Sequence, residues 1–137
     1  MSDIDIAIQR LKIEEGFRSR AYDDIDGNKT LGYGFNVGAG ISVYAATALL
    51  QAQVEEIKSQ LSAQPFMQGL DDVRASVLLD VAFNIGVQGL LKFHNTLAAV
   101  EAKDWQAAHD GLLASAAAKE LPYRYKLLAN ILLTGEM

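Results

Sequence analysis

The sequence predicts an α+β protein, mostly helical, with a small N-terminal β-sheet lobe, a long connecting helix and a helical C-terminal lobe. Three observations predict it. Residues 17–40 lose helical periodicity and gather glycines at positions 27, 32, 34, 38 and 40. Residues 42–62 carry an apolar stripe of Val43, Ala46, Leu50, Val54, Ile57 and Leu61, spaced by three and four. The chain beyond residue 70 alternates helical patterns with short breaks. A layout of this kind is expected to leave a cleft between two lobes, and clefts are where ligands bind.

Each element has a local cause. Residues 2–15 read as a helix, with Ser2 and Asp5 resembling a capping box and Ile4, Ile8 and Leu11 on one face. Gly16 suits the position just past its end. Segments 17–22 and 30–35 are expected to be strands joined by a turn at Asp26-Gly27-Asn28. Ser42 is a natural cap for the long helix, and Pro65 and Gly69 punctuate its end. Asp71 or Asp72 caps a helix over about 72–85 that is apolar on most sides, and Gly86 ends it. Further helices are expected at about 94–102, 105–113 and 122–133, the last with Pro122 in its first turn.

Composition excludes several classes of function. The 137 residues hold 12 Lys+Arg and 17 Asp+Glu, a net charge of −5, which argues against a nucleic-acid partner. Cysteine is absent, so disulfide frameworks, thiol nucleophiles and Cys-based zinc sites are excluded. No apolar run approaches the length of a membrane span, and the first residues, Met1-Ser2-Asp3-Ile4-Asp5, do not look like a signal peptide. His94 and His109 stand in no metal-binding spacing, so no metal or other cofactor is expected. Gly32-Tyr33-Gly34 begins like a dinucleotide loop, but the third glycine position is Val37. The aspartates around Gly27 fail as a calcium loop, because Tyr22 and Tyr33 occupy positions that need carboxylates.

Glu15 is the first candidate for chemistry. It stands at the negative end of a helix dipole, beside Glu14, where natural helices prefer a cation. Those neighbours, with any burial, are expected to raise its pKa toward that of a general acid; the competing structural role is an ion pair with Arg18 or Arg20. Asp24 lies in a polar turn nine positions on, and Thr30 follows on a strand. One carboxyl acid, one carboxylate and a hydroxyl form a set suited to glycoside hydrolysis.

These residues carry a resemblance. Glu15-Gly16-Phe17-Arg18, Tyr22, Asp24, Gly27 and Thr30-Leu31-Gly32-Tyr33-Gly34 resemble the N-terminal signature of phage lysozymes of the T-even type, glycoside hydrolase family 24. The family spacing of Glu, eight residues, Asp, five residues, Thr is met without a gap. A second block supports it, with Asp72-Val73-Arg74, Phe83-Asn84-Ile85-Gly86, Phe93 and Thr96-Leu97; Trp105, Ser115, Pro122, Arg124 and Thr134-Gly135 continue it.

The resemblance implies a single lysozyme domain over 1–137. Its small lobe would span about 14–55, its helical lobe about 1–13 and 63–137, and its connecting helix about 42–62. It implies hydrolysis of the β-1,4 bond between N-acetylmuramic acid and N-acetylglucosamine in bacterial peptidoglycan, with inversion. Glu15 would be the general acid, with Asp24 and Thr30 holding the water; Asn36, Phe83, Asn84, Thr96 and Gly111 would contact substrate. A monomeric endolysin is expected, held in the host cytoplasm until a holin opens the membrane. A lytic transglycosylase on the same bond and a catalytically idle peptidoglycan-binding module are the competing readings. The family's frequent His after Gly-x-Gly is Phe35 here, where an ion pair is expected to have become apolar packing.

Overall fold

Eight α-helices and one three-stranded antiparallel sheet make up a computed structural model that describes all 137 residues, and the six expected helices occur in the expected order. The fold class is α+β and mostly helical. The chain forms two compact units, Met1–Ala48 and Leu49–Met137.

The first unit starts with helix α1 (Asp3–Glu15). The Ser2 hydroxyl accepts the Asp5 N–H at 3.1 Å, and the Asp5 carboxylate accepts the Ser2 N–H at 3.0 Å, so the predicted capping box is formed. Gly16, at φ 68°, closes the helix by donating its N–H to the Lys12 carbonyl. The sheet is β1 (Arg18–Asp23), β2 (Lys29–Gly32) and β3 (Phe35–Asn36), in that spatial order. One strand was expected over 30–35. It is instead two, because the Tyr33-Gly34 turn reverses the chain between Gly32 at φ 68° and Gly34 at φ 78°. A 3₁₀ turn, Val37–Ala39, follows. Thr30, 4% exposed, is the one buried side chain of this unit; Ile4, Ile8 and Leu11 of α1 are exposed.

Helix α2 (Val43–Leu61) begins where Ser42 was expected to cap it, with the Ala45 N–H donating to the Ser42 hydroxyl at 3.1 Å. Its apolar stripe is buried only toward the C-terminal end. Val43 and Leu50 are exposed, Val54 and Ile57 are half-buried, and Leu61 is buried completely.

The second unit holds the core. A 3₁₀ turn (Pro65–Met67) leads into α3 (Asp72–Ile85), α4 (Val87–Leu91), α5 (His94–Glu101), α6 (Trp105–Leu113), α7 (Ala116–Glu120) and α8 (Pro122–Thr134). α4 and α7 have five residues each, too few to show a helical period, and were not expected. α3 buries Val77, Leu78, Val81 and Ala82. α8 adds Tyr125, Leu128, Ala129 and Leu132, and Leu90, Leu97, Val100, Ala108 and Leu112 belong to the same core cluster. Each buried leucine contributes roughly 1.5–3 kcal/mol.

One cation ties three helix ends together. Arg74 Nε donates to the Leu132 carbonyl at 2.7 Å and Nη2 to the Leu133 carbonyl at 3.0 Å, so the last turn of α8 gains partners for its free carbonyls. Nη1 pairs with Asp71 at 3.3 Å, and the guanidinium stacks 4.0 Å from the Trp105 ring at the start of α6. Burial works to raise the Asp71 pKa, but the Arg74 backbone N–H and guanidinium outweigh it and hold the carboxyl below its ordinary value of 3.8. A carboxyl depressed in the fold stabilises it above that value and loses the contribution as pH falls through the folded pKa. Asp71→Asn should therefore melt at a lower temperature than the parent at about pH 7, and the gap should narrow progressively as the pH falls below 3.8. Thermal melts of both proteins over a pH series from neutral to acid measure it.

α5 and α6 touch through a missing side chain. A Cβ on Gly111 would run into Thr96 Oγ1 and lie 3.4 Å from Thr96 Cβ. Gly111→Ala should cost about 1–3 kcal/mol by overpacking. Thr96→Ala in the same chain should recover most of that loss in denaturant unfolding.

Candidate active site

Glu15 is the last residue of α1, where the free carbonyls of the helix end gather. The side chain is exposed, so the burial anticipated for it is not found in the structure. It forms no ion pair with Arg18 or Arg20. Arg18 stacks on the Tyr22 ring at 4.7 Å. The Glu15 carboxyl lies instead over Gly34. A Cβ at position 34 would run into Glu15 Oε2 and come within 2.8 Å of Cδ. The turn that splits the expected strand therefore leaves the space the acid occupies. Tyr33 reinforces this arrangement, with its ring 5.4 Å from Phe17 and Lys12 of α1 5.8 Å above it.

Asp24 and Thr30 are joined through the backbone of the β1–β2 turn. Asp24 Oδ1 accepts the Asp26 N–H at 2.9 Å and the Asn28 N–H at 2.8 Å. The Asn28 carbonyl accepts the Asp24 N–H at 2.9 Å and the Thr30 hydroxyl at 3.0 Å. Gly27, at φ 79°, makes the turn possible. Asp24 Oδ2 takes part in none of these bonds, and the Thr30 hydroxyl, having spent its proton on Asn28, offers lone pairs. Both groups therefore face the same chemistry, as acceptors.

The sheet puts Asn36 beside Thr30, opposite it in the β2–β3 register, with Tyr22 on the other side. Asn36 Oδ1 accepts the Ala39 N–H at 3.2 Å, which caps the 3₁₀ turn and leaves its NH₂ free of that bond. Phe35 is a correction. It was expected to pack in an apolar contact, yet its ring is largely exposed and lies over Gly32.

The other sequence-derived contacts lie in the second unit. Phe83 of α3 is 45% exposed and lines a groove of about 630 Å³ with Ile57 and Gln60 of α2 and Gly86 and Gln88 after α3. Asn84 is half-buried and accepts a hydrogen bond from the Tyr125 hydroxyl at 2.6 Å. Thr96 is 5% exposed, against Gly111, so the structure gives these two a packing role. Arg124 binds Asp80 through Nε at 3.1 Å and Nη2 at 2.6 Å.

Sequence reasoning missed two members of this arrangement. The Asn28 backbone escaped because a carbonyl acceptor carries no side-chain signature. Tyr125 escaped because its partner is 41 residues away; its one signal was a tyrosine on the apolar face of the last helix.

The chain is similar to known proteins. The family model described as phage lysozyme matches residues 12–122, which include Glu15, Asp24, Thr30 and Asn36 as well as Phe83, Asn84, Thr96 and Gly111. The pre-baseplate central spike protein Gp5 of Enterobacteria phage T4 is 26% identical, over 94% of this chain. The chain spans about a quarter of that relative, 28% of its length. On the extent of the family match, this chain belongs to the phage lysozyme family, whose members are cell-wall-degrading hydrolases.

Proposed function

We propose that the protein hydrolyses the β-1,4 bond between N-acetylmuramic acid and N-acetylglucosamine in bacterial peptidoglycan. Glu15 gives its proton to the glycosidic oxygen as the bond to C1 breaks. Asp24 and Thr30 hold a water on the opposite face of the sugar ring. The observation that carries this reading is the hydrogen bonding of the β1–β2 turn: Asp24 Oδ1 takes two backbone N–H groups and leaves Oδ2 over, and the Thr30 hydroxyl gives its proton to the Asn28 carbonyl and keeps its lone pairs. A water between two acceptors donates both its protons and turns a lone pair outward, the orientation a nucleophile needs. Attack from that face inverts the anomeric centre.

On this reading Asn36, Phe83 and Asn84 contact the sugar chain. Thr96 and Gly111 act through the α5–α6 spacing they set. The protein works as a monomer, and no helix in it is long and apolar enough to cross a membrane. Its role is host-cell lysis as an endolysin released through a holin lesion. Similarity to a phage spike protein supports a second placement, as the wall-opening module of a virion component. Mass spectrometry of purified virions separates the two, because only the second places the chain in the particle.

Glu15→Gln and Asp24→Asn should each lower the release of reducing ends from purified sacculi by about 10²-fold or more while the circular dichroism spectrum is kept. Proton NMR of the parent digest should show the α-anomer first. Anhydro-muramic ends would identify a transglycosylase, and binding without any product would identify an idle module.

Gly34→Ala should fail differently. It leaves all three proposed reacting groups in place but drives a methyl into the Glu15 carboxyl and forces alanine to a positive φ. Its specific activity per folded molecule should drop at least about tenfold, a 1.4 kcal/mol rise in barrier. Activity equal to the parent would show that the Glu15–Gly34 contact is irrelevant to catalysis.

A further inference from the structure

Two aspartates of the chain precede a glycine, Asp26 and Asp110. Glycine has no Cβ, so its nitrogen lies open to the carboxyl of the residue before it. The glycine nitrogen can attack Cγ of the neutral carboxyl. A C–N bond forms, a C–O bond breaks, and the hydroxyl leaves with the amide proton as water. The five-membered imide then takes up water again. Entry at Cγ restores aspartate. Entry at the main-chain carbonyl carbon leaves the backbone running through Cβ and Cγ, an isoaspartate of unchanged mass.

The fold treats the two pairs oppositely. Asp110 lies within α6, and its carboxylate accepts from His109 Nδ1 at 2.8 Å and Gln106 Nε2 at 2.9 Å. These bonds hold it below its ordinary pKa, so the neutral, reactive form is scarce. The Asp110 carbonyl accepts the Ala114 N–H at 3.1 Å, and Gly111 is packed against Thr96, so this backbone has no freedom to turn. Asp26 is exposed in the β1–β2 turn, and its carboxylate enters no hydrogen bond or ion pair. The Gly27 N–H has one tie, to the Asp24 carbonyl at 3.0 Å. A Cβ at Gly27 would meet nothing within 4 Å. Opening one exposed hydrogen bond therefore frees the attacking nitrogen.

We propose that Asp26-Gly27 is a site of spontaneous isoaspartate formation, and that the change unseats Asp24 and Thr30. The Asp26 and Asn28 N–H groups converge on Asp24 Oδ1. Isoaspartate adds one backbone atom between them, so the two no longer reach that oxygen together. The Asn28 carbonyl, which holds the Asp24 N–H and the Thr30 hydroxyl, is displaced with them. The covalent step stands on the turn alone, and its effect on activity rests on the lysozyme reading.

The test ages the full-length protein at about pH 5, where aspartic carboxyls in general are in part neutral. Isoaspartate is counted by methyl transfer from S-adenosylmethionine with an isoaspartyl methyltransferase, and located by peptide mass spectrometry. Position 26 should gain at least about tenfold more than position 110, because an exposed turn opens far more often than a helix. Asp26→Glu should gain none at position 26, since the longer side chain must close a less favourable six-membered ring. In the aged parent, reducing-end release from sacculi should fall in step with the isoaspartate fraction, and the Asn28 amide should lose its protection from hydrogen exchange. Asp26→Glu should hold both over the same time. Isoaspartate absent from position 26, or no more abundant there than at position 110, overturns the proposal. An isomerised protein whose Asn28 amide stays protected overturns the unseating of Asp24 and Thr30. A fresh parent that releases no reducing ends overturns the lysozyme reading, while the isoaspartate count and the exchange measurement still decide the rest.

Discussion

The guanidinium of Arg74 meets the ends of three helices at once. It satisfies carbonyls at the end of α8, pairs with the Asp71 cap of α3 and stacks on the first residue of α6. A side chain only 15% exposed that carries a charge is costly to bury unless its hydrogen bonds are met, and here the geometry meets them. The Gly135 backbone allows it: a Cβ there would lie 2.9 Å from Arg74 Nη1. Because α3 and α8 also supply Asn84 and Tyr125, the clamp at one end of the helix pair fixes the register in which the buried phenol meets its amide. The polar bond and the apolar core between α3 and α8 depend on the same alignment.

Burial along the chain is uneven, and the unevenness has chemical meaning. All the buried apolar side chains lie from Leu61 onward. The first 48 residues are held mainly by hydrogen bonds, caps and positive-φ glycines. A segment of that length with so little core is too small to be stable alone. Its precision comes from backbone geometry. Glu15 rests on a glycine, and the Asp24 backbone N–H and the Thr30 hydroxyl share one carbonyl.

Much of this was legible in the sequence, for identifiable reasons. Caps and helix ends were readable because Ser2, Ser42, Asp71, Gly16 and Gly86 act within a few residues of themselves. The Glu15, Asp24 and Thr30 set was readable because its spacing is short and local. The split between β2 and β3 was not, since Gly32 and Gly34 can sit in a strand or turn out of it, and only the pairing of Thr30 with Asn36 decides. Nor was the meeting of Thr96 with Gly111, or of Asn84 with Tyr125, because each depends on how two helices pack. The helix-end position of Glu15 was legible too, yet a local argument about charge says nothing about which surface covers a side chain.

The β1–β2 turn anchors Asp24 and Thr30 almost wholly through main-chain atoms of residues 26 and 28. The side chains of Ile25, Asp26 and Asn28 take no part in that duty, and Ile25 is entirely exposed. Selection can therefore rewrite them without moving Asp24 or Thr30, provided Gly27 keeps its positive φ. The rim of the proposed reaction centre is in this sense an evolvable surface on a fixed frame. Change can accumulate there one substitution at a time, with Asp24 and Thr30 held where they are.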